Sequence, residues 1–262
     1  MIAAVVPVRN EGQRLKKTFE TLLSTPVDLI IPVINGSTDD SLLIAQQIQP
    51  RSLPVYFHDP LGIDVPRAIG AKIAWDRGAR AVLFIDGDMD GAISKNLCEL
   101  LDHVTYGHFD MSLTNCYPEK VPEGLSTLAL HLLKERRRLN KKIGLVQEIA
   151  VASPCHGPHA VSRRFLNVIP LKEIAIPPVS LALAAKNGLK VNIGANICHK
   201  DLGSPEKDPR HSHLIAETII GDCIEALHVY RGEKRSRRRG QIEHNGYHLE
   251  RRWDLLNDFI RK

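Results

Sequence analysis

Apolar and polar positions in the first ninety residues alternate between unbroken apolar runs and helical spacing. Residues 2–8 run apolar, after which Leu15, Phe19, Leu22 and Leu23 recur at helical intervals, predicting a strand over 2–8 and an amphipathic helix over 13–23. The same alternation predicts strands over 29–34 and 53–57, a helix over 41–48 capped by Ser37 or Thr38, and a helix over 65–77. A last apolar run, Ala81-Val82-Leu83-Phe84-Ile85, leads directly into Asp86-Gly87-Asp88. Strands that are apolar throughout, joined by helices, predict βαβ units: an α/β fold with a mainly parallel central sheet and helices on both faces.

Beyond residue 91 the pattern predicts helices over 93–104, 123–142, 175–185, 211–230 and 253–260, and strands over 109–115 and 189–198. In the long helix, Leu125, Leu128, Leu132 and Leu139 form the apolar side and residues 134–138 a polar side. A chain of 262 residues, 43% hydrophobic and 25% charged, suits one large α/β domain or one domain with a small appendage. No apolar run reaches the ~18 residues of a membrane span, and residues 1–8 are too short for a signal peptide. The five cysteines, Cys98, Cys116, Cys155, Cys198 and Cys223, form no CxxC pair, so neither a disulfide framework nor a structural zinc site is expected and a reducing cytoplasm fits.

Net charge changes the picture slightly. At +5, with a pI near 9.0, the chain suits a phosphate-bearing ligand or an anionic membrane surface. Residues 231–239 hold six cations, Arg231, Lys234, Arg235, Arg237, Arg238 and Arg239; these read as a solvated loop, as a peripheral contact with anionic lipid at the inner face of the membrane, or as a site for a phosphorylated acceptor. Aromatic residues at 5% and the lack of a recognised module exclude nucleic acid as a partner.

The candidate chemistry sits at the end of the fourth predicted strand, the edge where open α/β sheets bind ligands. Asp86 and Asp88 are two apart, so both carboxylates can share one side of an extended backbone, and Gly87 lets the chain turn between them. Paired hard oxygen donors suit Mg²⁺ or Mn²⁺ bridging to a diphosphate. An Asp- and Gly-rich turn without a metal is the plain alternative.

Four stretches together resemble the GT-A glycosyltransferases of family 2: Val5-Val6-Pro7-Val8-Arg9-Asn10-Glu11, Asn35-Gly36-Ser37-Thr38-Asp39, Arg67-Ala68-Ile69-Gly70-Ala71, and the DxD motif Asp86-Gly87-Asp88. The resemblance implies a GT-A (nucleotide-diphospho-sugar transferase) fold with a donor half over 1–115, an acceptor half over 116–230 and a basic C-terminal extension over 231–262. It implies a nucleotide-sugar donor (UDP-, GDP- or dTDP-linked) bound by Pro7, Arg9, Glu11, Asn35, Arg67, Asp86, Gly87 and Asp88. Asp86, Asp88 and Arg67 would be the catalytic group, since a departing diphosphate needs its charge neutralised by metal or basic residues. The chain departs from the family at Ile34-Asn35, where an acidic residue commonly reads the base.

The second half lacks the acidic pair that opens a late helix in inverting members, with Ile176-Pro177-Pro178-Val179-Ser180 in its place; Glu173 or Asp201 could supply a base. Instead, residues 191–200, ending in Cys198-His199-Lys200, resemble the strand and metal-binding histidine of the retaining glucosyl- and mannosyl-3-phosphoglycerate synthases. That resemblance implies His199 as a third metal ligand, with His211 and His213 as fallbacks, and places His156, Gly157 and His159 on the acceptor side. The expected activity is metal-dependent transfer of a sugar to a hydroxyl-bearing acceptor, phosphorylated or not, in a cytoplasmic protein for which a homodimer is an option. A sugar-1-phosphate nucleotidyltransferase and a non-catalytic sugar-nucleotide-binding protein are the rival readings. The first turn, Arg9-Asn10-Glu11-Gly12, lacks the glycine-rich triphosphate loop of the former.

Overall fold

The strand β1 (Ile2–Val8) divides its side chains between two cores. Ala3 and Val5 point into one, Ile2, Ala4, Val6 and Val8 into the other, as the two-residue period of a strand requires. In this computed structural model, which describes all residues except 49, 120–123, 207 and 262, both faces of the sheet are therefore covered. One face carries α1 (Gly12–Leu23), α2 (Ser41–Gln47) and α4 (Ser94–Thr105). The other carries α3 (Val65–Asp76), α5 (Thr127–Lys142), α8 (Pro177–Lys186), α9 (Pro209–Arg231) and α10 (Trp253–Arg261). Two short helices, α6 (Val146–Ile149) and α7 (Arg163–Val168), lie in the connections.

The remaining sheet strands are β2 (Leu29–Asn35), β3 (Val55–Phe57), β4 (Ala81–Phe84), β5 (Met111–Asn115), β6 (His159–Ser162) and β7 (Val191–Asn196). Their spatial order is β3-β2-β1-β4-β6-β5-β7. Strands β3, β2, β1 and β4 are parallel, β6 runs antiparallel to both neighbours, and β7 is parallel to β5. The mainly parallel α/β architecture expected from the sequence is what the chain adopts. A small hairpin, β8 (Arg238–Arg239) with β9 (Ile242–Glu243), stands apart.

Helix α3 lies unusually close to β1. A Cβ at Gly70 would stand 2.3 Å from Val5 Cγ1, so the glycine of the Arg67-Ala68-Ile69-Gly70 stretch is what lets the helix press onto the strand. Gly70→Ala is accordingly expected to destabilise the fold by about 1–3 kcal/mol through overpacking, read as a lowered denaturant midpoint at unchanged slope.

Three expectations need correction. The long helix starts at Thr127, capped by Ser126, whose Oγ accepts from the Ala129 N–H at 3.2 Å; residue 123, where it was expected to begin, lies outside the described residues. Glu135 and Arg136, expected on a polar face, are buried, because they fall between Leu132 and Leu139 on the stripe that packs inward. The run 231–239, expected as a solvated loop, is exposed over residues 231–235 and at Arg238 but anchored elsewhere: Arg237 is buried against Asp222 and Glu225, Arg235 pairs with Glu173 and Glu225, and Arg239 pairs with Glu135. Arg231 and Arg238 lie beside Glu233 and Glu243, so the free positive charge assumed for contact with an anionic membrane is largely neutralised within the chain. Among the described residues no helix is long and apolar enough to cross a membrane.

Candidate functional site

The turns after β1, β2 and β4 share one edge of the sheet because these three strands are parallel neighbours, and hydrogen bonds lace them together. Asn10, at φ +56°, donates its N–H to Ser37 Oγ at 3.0 Å and accepts at Oδ1 from the Thr38 N–H at 2.8 Å. Glu11 N–H donates to Ser41 Oγ, and Gly12 N–H to Asp39 Oδ2 at 2.8 Å. Pro7 closes the third side, its carbonyl accepting from the Gly87 N–H at 3.0 Å. A Cβ on Gly87 would stand 3.1 Å from that carbonyl oxygen and 3.2 Å from Val8 Cγ2, so the turn between the two aspartates packs closely on β1 and a larger residue there would have to push these neighbours aside. From below, the buried Thr18 hydroxyl reaches the carbonyls of Gly87 and Met89 at 3.1 and 3.2 Å.

Asp86 and Asp88 thus leave a pinned turn. Asp88 is nearly buried and accepts from Ser204 Oγ at 3.4 Å; Asp86 accepts at Oδ1 from Arg67 Nη2 at 2.5 Å. Arg67 is buried at the start of α3 and also donates from Nε to Asp64 Oδ1 at 3.1 Å. Burial pulls its pKa down, but the carboxylates of Asp86 and Asp64 outweigh that and hold the guanidinium above its ordinary value. Arg9 is exposed at the rim and Glu11 half-buried beside it.

The segment after β7 completes one wall. His199 opens the 3-10 turn His199–Leu202, and the Leu202 carbonyl accepts from the Gly91 N–H at 3.1 Å, resting this turn on the loop that follows the aspartates. Arg14 ties both by donating to Asp90 at 3.1 Å and to the Gly203 carbonyl at 3.0 Å. His199 is also the end of a relay. Arg136 Nη1 donates to His156 Nδ1 at 2.9 Å, and His156 Nε2 lies 3.0 Å from His199 Nδ1. A guanidinium only donates, so His156 accepts at Nδ1, donates from Nε2, and leaves neutral His199 with its proton on Nε2. Burial first, then Arg136, pushes the pKa of both rings below the ordinary value, and far below for His156. In this arrangement His199 lends no lone pair to a cation; it does so only on parting from His156, when either ring nitrogen can carry the proton.

Two expected contact residues are placed otherwise. His159 is 4% exposed in β6, stacked on Phe84 at 4.8 Å with its pKa driven well down by burial and then by Arg67. Asn35 is buried, accepting from the Leu61 N–H at 2.6 Å and donating to the Gly62 carbonyl at 3.3 Å, so its amide holds the loop before α3. Gly157, at φ +76°, packs on Thr114 and Cys116 beside His156.

Other participants escaped the sequence reading. Asp64, Ser204 and Arg136 carry no motif, and only their spatial partners mark them. Among the described residues, the group of three ligand-type side chains with atoms within 4.8 Å of one another is Asp222, Glu225 and His248. Guanidiniums already fill it: Arg237 Nη1 donates to Asp222 and Glu225, and Arg251 donates to both Asp222 oxygens and to His248 Nδ1. Asp86 and Asp88 lie at the carboxyl edge of the parallel strands, Asp86 with one oxygen on Arg67, and among the described residues they form no such three-ligand group with His199.

The sequence model described as Glycosyl transferase family 2 matches residues 3–169. No curated protein sequence matches the chain. Glucosyl-3-phosphoglycerate synthase from Mycobacterium tuberculosis, in complex with Mn²⁺, UDP and phosphoglyceric acid, is similar with a TM-score of 0.65 at 18% identity, over 90% of this chain and 80% of that one. The same enzyme with Mn²⁺, UDP-glucose and phosphoglyceric acid gives 0.65 at 17% identity over 90% and 81%. With Mg²⁺ and UDP it gives 0.62 at 17% over 90% and 81%. The fold is therefore GT-A.

Proposed function

The chain belongs to glycosyl transferase family 2, and on that premise we propose that it moves a hexose from a nucleotide-diphosphate donor to a hydroxyl acceptor with Mg²⁺ or Mn²⁺ held by Asp86 and Asp88. The observation that carries this reading is the pinned Asp86-Gly87-Asp88 turn, with the buried Arg67 against it, at the carboxyl edge of the parallel strands. A divalent cation there would take up the charge that develops on the departing diphosphate. The chain's own residues do the rest. Arg67 adds fixed positive charge where burial makes it effective, and the turn around Pro7, Arg9 and Glu11 forms the nucleoside side. His199, released from His156, is the third candidate ligand. We place the donor half in residues 1–115 and the acceptor half in 116–230, with His156 and Gly157 on the acceptor side.

The UDP, UDP-glucose and phosphoglyceric acid bound by the mycobacterial enzyme favour a uridine donor and a phosphorylated acceptor for this chain. Transfer with retention is favoured by a structural detail. Glu173, just ahead of the late helix, is buried and held by Arg235 Nη2 at 2.6 Å, so it is committed within the fold. The proton of the acceptor hydroxyl then passes to an oxygen of the leaving diphosphate on the same face of the sugar. The exposed Asp201 is the remaining alternative. Asp201→Asn is expected to lower kcat less than tenfold, against the ~10²–10⁴-fold a general base contributes.

The testing experiment is a panel of nucleotide sugars incubated with and without Mn²⁺ and with phosphorylated and plain hydroxyl acceptors. Release of nucleoside diphosphate with an anomeric proton coupling in the product that matches the donor supports the reading. Release of pyrophosphate would assign a nucleotidyltransferase, no turnover a binding protein, and an inverted anomer would refute retention alone.

A further inference from the structure

An unbroken series of alternating charges connects Asp86 to the C-terminal segment. Arg67 bridges Asp86 and Asp64; Arg251 bridges Asp64 Oδ2, at 3.2 Å, and both oxygens of Asp222, at 2.8 Å each. Arg251 is fully buried, and its five N–H groups match five acceptors, the other two being the Ile63 carbonyl at 3.2 Å and His248 Nδ1 at 3.0 Å. Such a guanidinium has no rotational freedom, so it fixes Asp64 as a hand fixes a tool. Asp64 itself sits at φ +61°, in the left-handed region that few residues other than glycine, asparagine and aspartate adopt, at the N-cap of α3. The loop that forces it there is clamped on one side by Asn35 and on the other by the Arg252 N–H donating to the Leu61 carbonyl at 2.9 Å.

We propose that Asp64, held by Arg251, is a positioning residue for the cation site: it divides the Arg67 guanidinium between two carboxylates and thereby limits the hold of Arg67 on Asp86. With Nε committed to Asp64, Arg67 reaches Asp86 only through Nη2 and only at Oδ1. Without that anchor the guanidinium turns a paired N–H edge onto Asp86, the geometry Arg and carboxylate prefer, and competes with a cation for the same oxygens. The C-terminal segment thus contributes to the metal side of the donor site through Asp64, from which Arg251 stands 187 residues away in sequence. This inference rests on the metal reading of Asp86 and Asp88 given above.

The test is Mn²⁺ titration of the 262-residue chain, followed by water-proton relaxation, for wild type, Asp64→Asn, Arg67→Gln and the double variant, with Asp88→Asn as the reference for the site itself. Asp64→Asn is expected to weaken Mn²⁺ binding about tenfold, the scale of a lost supporting contact. The double variant is expected to bind no more weakly than Arg67→Gln alone, because Asp64 acts through Arg67; a general structural defect would weaken both backgrounds alike. Arg251→Lys, which keeps the charge but not the fork, is expected to give a smaller loss and serves if Asp64→Asn does not fold. Wild-type binding retained within twofold in both Asp64→Asn and Arg251→Lys, or equal losses with and without Arg67, overturns the inference while leaving the metal site standing. Equal Mn²⁺ binding by wild type and Asp88→Asn overturns the metal reading and the inference together.

Discussion

Asp88→Asn is expected to lower kcat/KM for sugar transfer by about 10³-fold, equivalent to ~4 kcal/mol of lost transition-state stabilisation. The substitution is nearly isosteric, and the asparagine oxygen can still accept from Ser204 Oγ, so the turn held by Pro7 and Thr18 keeps its shape. What disappears, on the proposed reading, is the negative charge that would attract a divalent cation at the point where the leaving diphosphate gathers charge. The loss should fall mainly on kcat, since charge develops on the leaving group in the transition state and not in the bound donor. Raising Mn²⁺ is expected to recover part of the rate in the variant and almost none in the wild type. Steady-state kinetics at several Mn²⁺ concentrations, with thermal melting of the metal-free proteins as a fold control, make the check. Retained wild-type rates would remove Asp88 from the chemistry.

The parts of this molecule that could be read in advance are those in which neighbours in sequence are neighbours in space. Strands β1, β2 and β4 are apolar along their whole length because both faces are covered, and each ends in a turn whose polar residues meet at one edge of the sheet. The aspartate pair is compact for the same reason. The reading failed where polar residues serve packing at long range. Asn35 and His159 carry groups suited to ligands, yet one secures the loop at Leu61 and the other stacks beneath Arg67 on Phe84. Glu135 and Arg136 look like surface charge until the helix turns them inward, where Arg239 and His156 await them. No periodicity encodes those pairings, because the partners lie on elements joined only by the fold.

The C-terminal basic run shows the same limit with a larger energetic consequence, and Arg237→Met is expected to destabilise the protein by about 3–5 kcal/mol. Arg237 donates from Nη1 to Asp222 at 2.5 Å and to Glu225 at 3.0 Å, from Nε to the His244 carbonyl at 3.0 Å and from Nη2 to the Thr218 carbonyl at 2.8 Å. Methionine fills much of the volume but leaves two buried carboxylates sharing fewer cations, Arg251 on Asp222 and Arg235 on Glu225. The pH dependence supplies an independent signature. In the wild type, burial raises the Asp222 pKa, but Arg251 and then Arg237 outweigh it and hold the carboxyl below its ordinary value of 3.8. Its contribution is therefore present above about pH 4 and is lost as pH falls through the folded value. With Arg237 gone, burial regains weight and the folded-state pKa of Asp222 moves upward from its wild-type position, so the variant's folded form takes up a proton at a higher pH than the wild type's does. The stability gap between wild type and variant is then expected to be widest near pH 7 and to narrow as pH falls toward 4. Paired denaturant titrations across that range measure the gap directly. A gap independent of pH would mean that Arg237 contributes by packing alone and that the charges of Asp222 and Glu225 are balanced without it.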